Sequence, residues 1–112
     1  MNRGDIWMVN LGGRVGKRPV LIITRQNVLK YLNKVTVLEI TTQGKGYPTE
    51  IFIDQKANLP EPSFVQADNL HTIPKNRLEK YRGTLNAELM QKVSQKVVLA
   101  LELEDCFHER FA

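Results

Sequence analysis

Four consecutive apolar residues, Val20-Leu21-Ile22-Ile23, follow the basic pair and proline of Lys17-Arg18-Pro19 and lead into Thr24. A short, unbroken run rich in β-branched side chains is the pattern of a strand buried on both faces. Such a strand obliges the rest of the chain to supply apolar cover on two sides. Pro19 has no N–H for a ladder and fits the first residue of that strand. Arg18 then stands where a rigid element meets a loop. A guanidinium held there is placed as phosphate binding or catalysis requires. A solvated arginine at a strand end is the simpler alternative.

The cover is found on either side. Asp5–Asn10 places Ile6 and Met8 on one face and Trp7 and Val9 on the other, which predicts a first strand inside the sheet. Lys34–Ile40 predicts a third, with Val35, Val37 and Glu39 opposite Thr36, Leu38 and Ile40. Thr49–Asp54, Ser63–Asp68 and a short His71–Ile73 closed by Pro74 complete the strands. Residues 25–32, with Val28, Leu29 and Leu32 at helical spacing, predict a short helix or turn over one end of the sheet. Residues 75–83 are basic and polar, anchored by Leu78 and Tyr81.

Asn86 is placed to cap a C-terminal helix, with Glu88 in its first turn and Leu89, Val93, Val97, Ala100 and Leu101 as its apolar stripe. The tail from Glu104 to Arg110 is polar and predicted to fray. This order predicts an α+β protein: a small curled antiparallel sheet or SH3-like barrel with a C-terminal helix against it. At 112 residues the chain is predicted to form one domain, 1–112.

Composition excludes several classes. No apolar run approaches a membrane span and no signal peptide is evident, so a cytoplasmic protein is expected. The single cysteine, Cys106, leaves no internal disulfide. With His71 and His108 it makes too few soft ligands for a zinc site, and no metal or cofactor is expected. Cys–His nucleophilic catalysis is equally poorly supported. The loop from Leu11 to Lys17 has three glycines with Arg14 and Lys17, but neither phosphate-loop nor dinucleotide spacing. A net charge of +4 is compatible with nucleic acid or an acidic protein partner.

Chemistry is concentrated at strand ends: Arg18 before the second strand, Thr41 and Thr42 after the third, Asp68 at the end of the fifth. An arginine, a hydroxyl and a carboxylate suit cleavage of an RNA phosphodiester by its own 2′-OH, with no metal required. Asp68 is then the base, Arg18 a bidentate clamp on the phosphoryl oxygens, and Thr41 a donor to the same oxygens. Glu39, one strand step from Thr41, competes with Asp68 as the base. The plainer alternatives are turn residues for Thr41 and Thr42, a turn cap for Asp68 with Asn69, and a surface or hydrogen-bonded imidazole for His71. Trp7, Phe52 and Phe64 fall in strand patterns that predict core positions.

The ordered blocks Arg3-Gly4-Asp5-Ile6-Trp7, Arg18-Pro19-Val20-Leu21-Ile22-Ile23, Glu39-Ile40-Thr41-Thr42, Ser63-Phe64-Val65-Gln66-Ala67-Asp68 and Thr72-Ile73 resemble the MazF/PemK/Kid toxin family. The resemblance runs from Arg3 through the C-terminal helix. It implies a CcdB/PemK-like fold, a homodimer, and a toxin–antitoxin ribonuclease cutting single-stranded mRNA at short sequences without metal. The products it implies carry 2′,3′-cyclic phosphate and 5′-hydroxyl ends. It also implies an antitoxin whose acidic segment lies over the RNA groove. By motif, Arg18 matches the catalytic arginine, Thr41 the catalytic threonine, and Asp68 an acidic residue near the scissile phosphate. Gln66 falls where some members carry a second catalytic arginine. The loop Leu11–Lys17 is shorter than the family's usual first loop. Arg14, Lys17, Thr42, Gln43, Lys45, Gln66 and His71 are the residues then expected to contact RNA. CcdB-type gyrase poisons share the fold, so a non-catalytic toxin acting on a protein is the alternative.

Overall fold

The computed structural model describes residues 1–54 and 59–109. Strands β1 (Asp5–Asn10), β2 (Lys17–Ile22), β3 (Lys34–Thr41), β4 (Glu50–Ile53), β5 (Ser63–Pro74) and β6 (Leu78–Thr84) form one antiparallel sheet in the order β4-β5-β3-β2-β1-β6. The outer strands β4 and β6 do not pair with each other, so the sheet is curled rather than closed. Helices α1 (Ala87–Ala100) and α2 (Glu104–Glu109) follow. Among the described residues, no helix is long and apolar enough to cross a membrane.

The apolar run of β2 does what its composition demands. Val20, Leu21 and Ile22 are fully buried, and they serve two separate cores. Leu21 packs with Ile6, Leu38, Ile40, Val65 and Val93 of α1. Val20 and Ile22 pack on the opposite face with Val9, Val35, Val37 and Leu29. Burying an aliphatic side chain of this size contributes roughly 1.5–3 kcal/mol, so one short strand supports both layers. Helix α1 closes the first core through Leu89, Val93 and Val97, started by Asn86, whose side chain accepts from the Leu89 N–H at 2.8 Å. Leu101, expected in the stripe, is instead the half-exposed C-cap. A 3₁₀ turn, Gln26–Val28, brings Leu29 over the second core.

The opening Arg3-Gly4-Asp5 is a structural clasp. The Arg3 guanidinium donates to the Ile23 carbonyl and, at 3.1 Å, to Ser94 Oγ of α1. Buried Asp5 accepts from the Asn2 N–H at 2.8 Å and from Thr84 Oγ1 of β6 at 2.7 Å. Gly4 sits at φ 94°, with Met90 of α1 3.3 Å from where a Cβ would stand.

Four expectations are corrected. Residues 63–68 and 71–73 are one strand, β5, bulged where Glu39 pairs with Gln66 but Leu38 pairs with Leu70. The polar stretch after Lys75 contains β6, an edge strand whose side chains are mostly exposed. Pro19 is the third residue of β2, not the first; β2 has only β1 as partner there, so its missing N–H interrupts no second ladder. The tail forms α2 over Glu104–Glu109; the His108 side chain and Arg110 lie outside the described residues.

Candidate active site

Directly opposed residues of antiparallel strands share a face, so the pairing register maps the face of the second core. Successive positions on one face are about 7 Å apart along a strand. Three rows cross the sheet there. Glu50, Gln66, Glu39 and Val20 form the middle row. On one side lie Phe52, Phe64 and Thr41, and the β2 register places Arg18 next in that row, one step beyond the last paired residues, Val20 and Glu39. On the other side lies His71, opposite Val37. Asp68, in the bulged stretch of β5, is placed by its bond to Thr49 and by the cavity it lines with Glu50 and Gln66. Arg18, Thr41, Glu39, Gln66, Asp68 and His71 thus converge on one face, away from α1.

Each is held differently. Arg18 is half-buried, and its Nε is enclosed without a hydrogen-bond partner among the described residues. An enclosed, unpaired donor is costly, and an anion would satisfy it. Thr41 Oγ1 accepts from the Gln43 N–H at 3.1 Å, which leaves the hydroxyl proton to be donated elsewhere. Glu39 Oε2 lies 2.6 Å from His71 Nε2, with the carboxylate 14% and the imidazole 37% exposed. Thr49 Oγ1 donates to Asp68 Oδ2 at 2.5 Å, and the other oxygen of the carboxylate has no hydrogen-bond partner among the described residues.

Gln66 is nearly buried. Its Nε2 donates to Glu50 Oε2 at 3.0 Å and its Oε1 accepts from Asn69 Nδ2 at 2.8 Å. Glu50 also accepts from the backbone N–H groups of Lys45 and Gly46. Burial pushes the Glu50 carboxyl up, but the hydrogen bonds from Gln66, Lys45, Gly46 and Tyr47 outweigh it and hold the group below its ordinary value. These residues line a cavity of about 170 Å³ with Tyr47, Asp68 and Asn69.

The loop residues are looser. Arg14, Thr42, Gln43 and Lys45 are exposed. Lys17 alternates with Arg18, so it leaves this face, and its Nζ lies 3.4 Å from Glu79 Oε1. Phe52 corrects the expectation of a core position: it is 53% exposed, with its ring 5.3 Å from that of half-buried Phe64. Gly44 closes over Phe64 so tightly that a Cβ would stand 2.7 Å from the ring. The signal for Phe52 was present, because Ile51 and Ile53 bracket it and must point the other way. No cluster of three or more metal-ligating side chains occurs among the described residues.

Residues 2–101 match the family model described as "PemK-like, MazF-like toxin of type II toxin-antitoxin system". The chain belongs to this family. It is 39% identical over 87 residues to the Mycobacterium tuberculosis protein named endoribonuclease MazF3, covering 78% of this chain and 84% of that one. To the probable endoribonuclease MazF2 of the same organism it is 32% identical, covering 85% of this chain and 92% of that one. Among solved structures, the M. tuberculosis toxin MazF-mt6 superposes with a TM-score of 0.80 at 36% identity, over 88% of this chain and 96% of that one. A mycobacterial endoribonuclease in complex with its cognate antitoxin gives 0.81 at 27% identity, over 92% and 96%. In this MazF-like chain Gln66, the residue expected from the resemblance to stand where some members carry a second arginine, is an amide bound at both ends.

Proposed function

We propose that this chain is the toxin of a type II toxin–antitoxin pair, an endoribonuclease that cuts single-stranded mRNA at a short recognition sequence without a metal, in the cytoplasm. The observation that carries the site assignment is the row shared by Arg18 and Thr41, with Arg18 Nε unsatisfied beside it. The substrate's 2′-oxygen attacks the adjacent phosphorus. Arg18 binds the non-bridging oxygens with its planar fork, and Thr41 donates its hydroxyl proton to the same oxygens as their charge grows. Asp68, steadied by Thr49, takes the 2′-OH proton through its other oxygen. The products are a 2′,3′-cyclic phosphate and a 5′-hydroxyl.

The surroundings suit a single strand. Phe52 offers a ring on which a base can stack, and the exposed Arg14 and Lys45 of the loops give cations for the phosphate backbone. The same basic groups suit an acidic antitoxin segment that blocks RNA by covering them. Leu99, Leu101 and Leu103 are exposed at the end of α1 and just beyond, and give a second copy an apolar surface on which to form a homodimer.

Purified protein is incubated with mixed-sequence single-stranded RNA in EDTA, with Arg18→Ala and Thr41→Ala in parallel, and the ends are mapped. Discrete cuts with 5′-hydroxyl ends, lost in Arg18→Ala and reduced about 10²–10³-fold in Thr41→Ala, are expected. Intact RNA at high protein concentration overturns the ribonuclease reading in favour of a toxin acting on a protein.

A further inference from the structure

Transesterification by a 2′-OH needs two proton movements, one off the attacking oxygen and one onto the leaving 5′-oxygen. The second has no obvious donor among the residues matched by motif. Arg18 keeps its proton to very high pH. Gln66 has nothing to ionise, and both ends of its amide are already bound. Glu50 is held as an anion by the donors around it. Asp68, as the base, starts without a proton.

The face does carry an imidazole, the side-chain type whose ordinary titration falls near neutrality. His71 is not loose on the surface. Its Nε2 lies 2.6 Å from Glu39 Oε2, and that carboxylate is largely enclosed while the ring stays partly open. A shielded carboxylate bonded to Nε2 of an accessible imidazole fixes the ring's orientation and leaves Nδ1 as the nitrogen to meet a substrate. The β5 bulge makes this pairing possible. It lets His71 face Val37 while Gln66 already faces Glu39, so the imidazole and carboxylate meet diagonally.

The placement also fits the reaction. Arg18 and Thr41 lie on one side of the Glu39–Gln66 row, and Asp68 and His71 lie on the other. The clamp and the two proton-handling groups thus lie across the middle row from each other, with Asp68 and His71 separated along β5 so that one can serve the attacking oxygen and the other the leaving oxygen. Glu39 from β3 is the charged group in contact with the imidazole, and Arg18 from β2, Glu50 from β4 and Asp68 from β5 itself share its face.

We infer that His71 is the acid of this site and that Glu39 is its positioning residue; this rests on the ribonuclease reading above. The 2′-oxygen bonds to phosphorus and its proton passes to Asp68. The bond from phosphorus to the 5′-oxygen breaks, and that oxygen takes the proton from His71 Nδ1 while Nε2 stays with Glu39. Exchange with water then returns both side chains to their starting states. No oxidation or reduction occurs and no co-reactant is needed.

The test uses two RNAs of the same sequence, one with the natural linkage and one with sulfur in place of the bridging 5′-oxygen. The sulfur leaves as a thiolate and needs no acid. His71→Gln is expected to cut the natural linkage about 10²–10⁴-fold more slowly than wild type. It is expected to cut the sulfur linkage at nearly the wild-type rate, which also shows that the variant is folded and binds RNA. Glu39→Gln is expected to show a smaller loss on the natural linkage, likewise relieved by sulfur. An equal loss on both linkages, or no loss on either, overturns the assignment of His71. Failure of wild type to cut either RNA overturns the ribonuclease reading itself, and this assignment with it.

Discussion

Gln66 Nε2 donates to Glu50 Oε2 at 3.0 Å, across the pairing of β5 with β4. This bond is one of several that hold the Glu50 carboxylate, the others coming from the backbone of the loop that precedes β4. Gln66 therefore moors a loop rather than offering a proton.

Stability should follow the charge on Glu50. The folded-state pKa of Glu50 lies below its ordinary 4.5. A depressed carboxylate contributes stability that is fully present above the unfolded value and is lost as pH falls through the folded one. Urea midpoints taken from about pH 7 down to about pH 3 should fall more steeply for wild type than for Glu50→Gln. Parallel curves across that range would show that the carboxylate is not held in this way.

Phe52 should matter for RNA and little for folding. Its ring is 53% exposed, so Phe52→Ala should move the melting temperature only slightly. Loss of one stacked base should weaken single-stranded RNA binding by about 1–3 kcal/mol, with Phe52→Trp retaining it. Binding titrations with the cleavage-deficient Arg18→Ala protein measure this directly, and unchanged affinity in the Phe52→Ala, Arg18→Ala double variant removes Phe52 from the RNA path.

Arg3 should behave in the opposite way. Its guanidinium joins the Ile23 carbonyl beyond β2 to Ser94 of α1. Arg3→Ala should cost about 1.5–3 kcal/mol and lower the melting temperature by roughly 10 °C. Cleavage measured well below the transition should be unchanged per folded molecule. A drop in kcat without a drop in stability would place Arg3 in the site rather than in the scaffold.

The scaffold was readable wherever burial left a local pattern. Val20–Ile22 had to serve two cores because nothing polar interrupts the run, and α1 announced itself through its cap and stripe. Strand β6 had no such pattern, since Leu78–Thr84 is an edge whose side chains mostly face solvent; it exists because β1 needs a second partner. Asp68-Asn69 looked like a break between two strands and is a bulge within one. The site divides in the same way. Arg18 and Thr41 were visible as strand-end residues; Asp68, read as one, stands at the bulge inside β5. The contact between Glu39 and His71 was not, because it joins residues 32 positions apart and depends on the bulge for its alignment.

The pairing of β1 with β6 also sets a clock. Asp5 and Thr84 are 79 positions apart in the chain, yet Thr84 Oγ1 donates to the Asp5 carboxylate. At synthesis rates of about 5–20 residues per second, the first strand emerges roughly 4–16 s before the strand that flanks it exists. Leu85 and Val93, which complete the first core, come later still. A nascent chain long enough to contain Arg18 and Thr41 therefore still lacks the layer that holds them in place. Cleavage is therefore expected only once the chain as far as Val93 has left the ribosome and the first core can close.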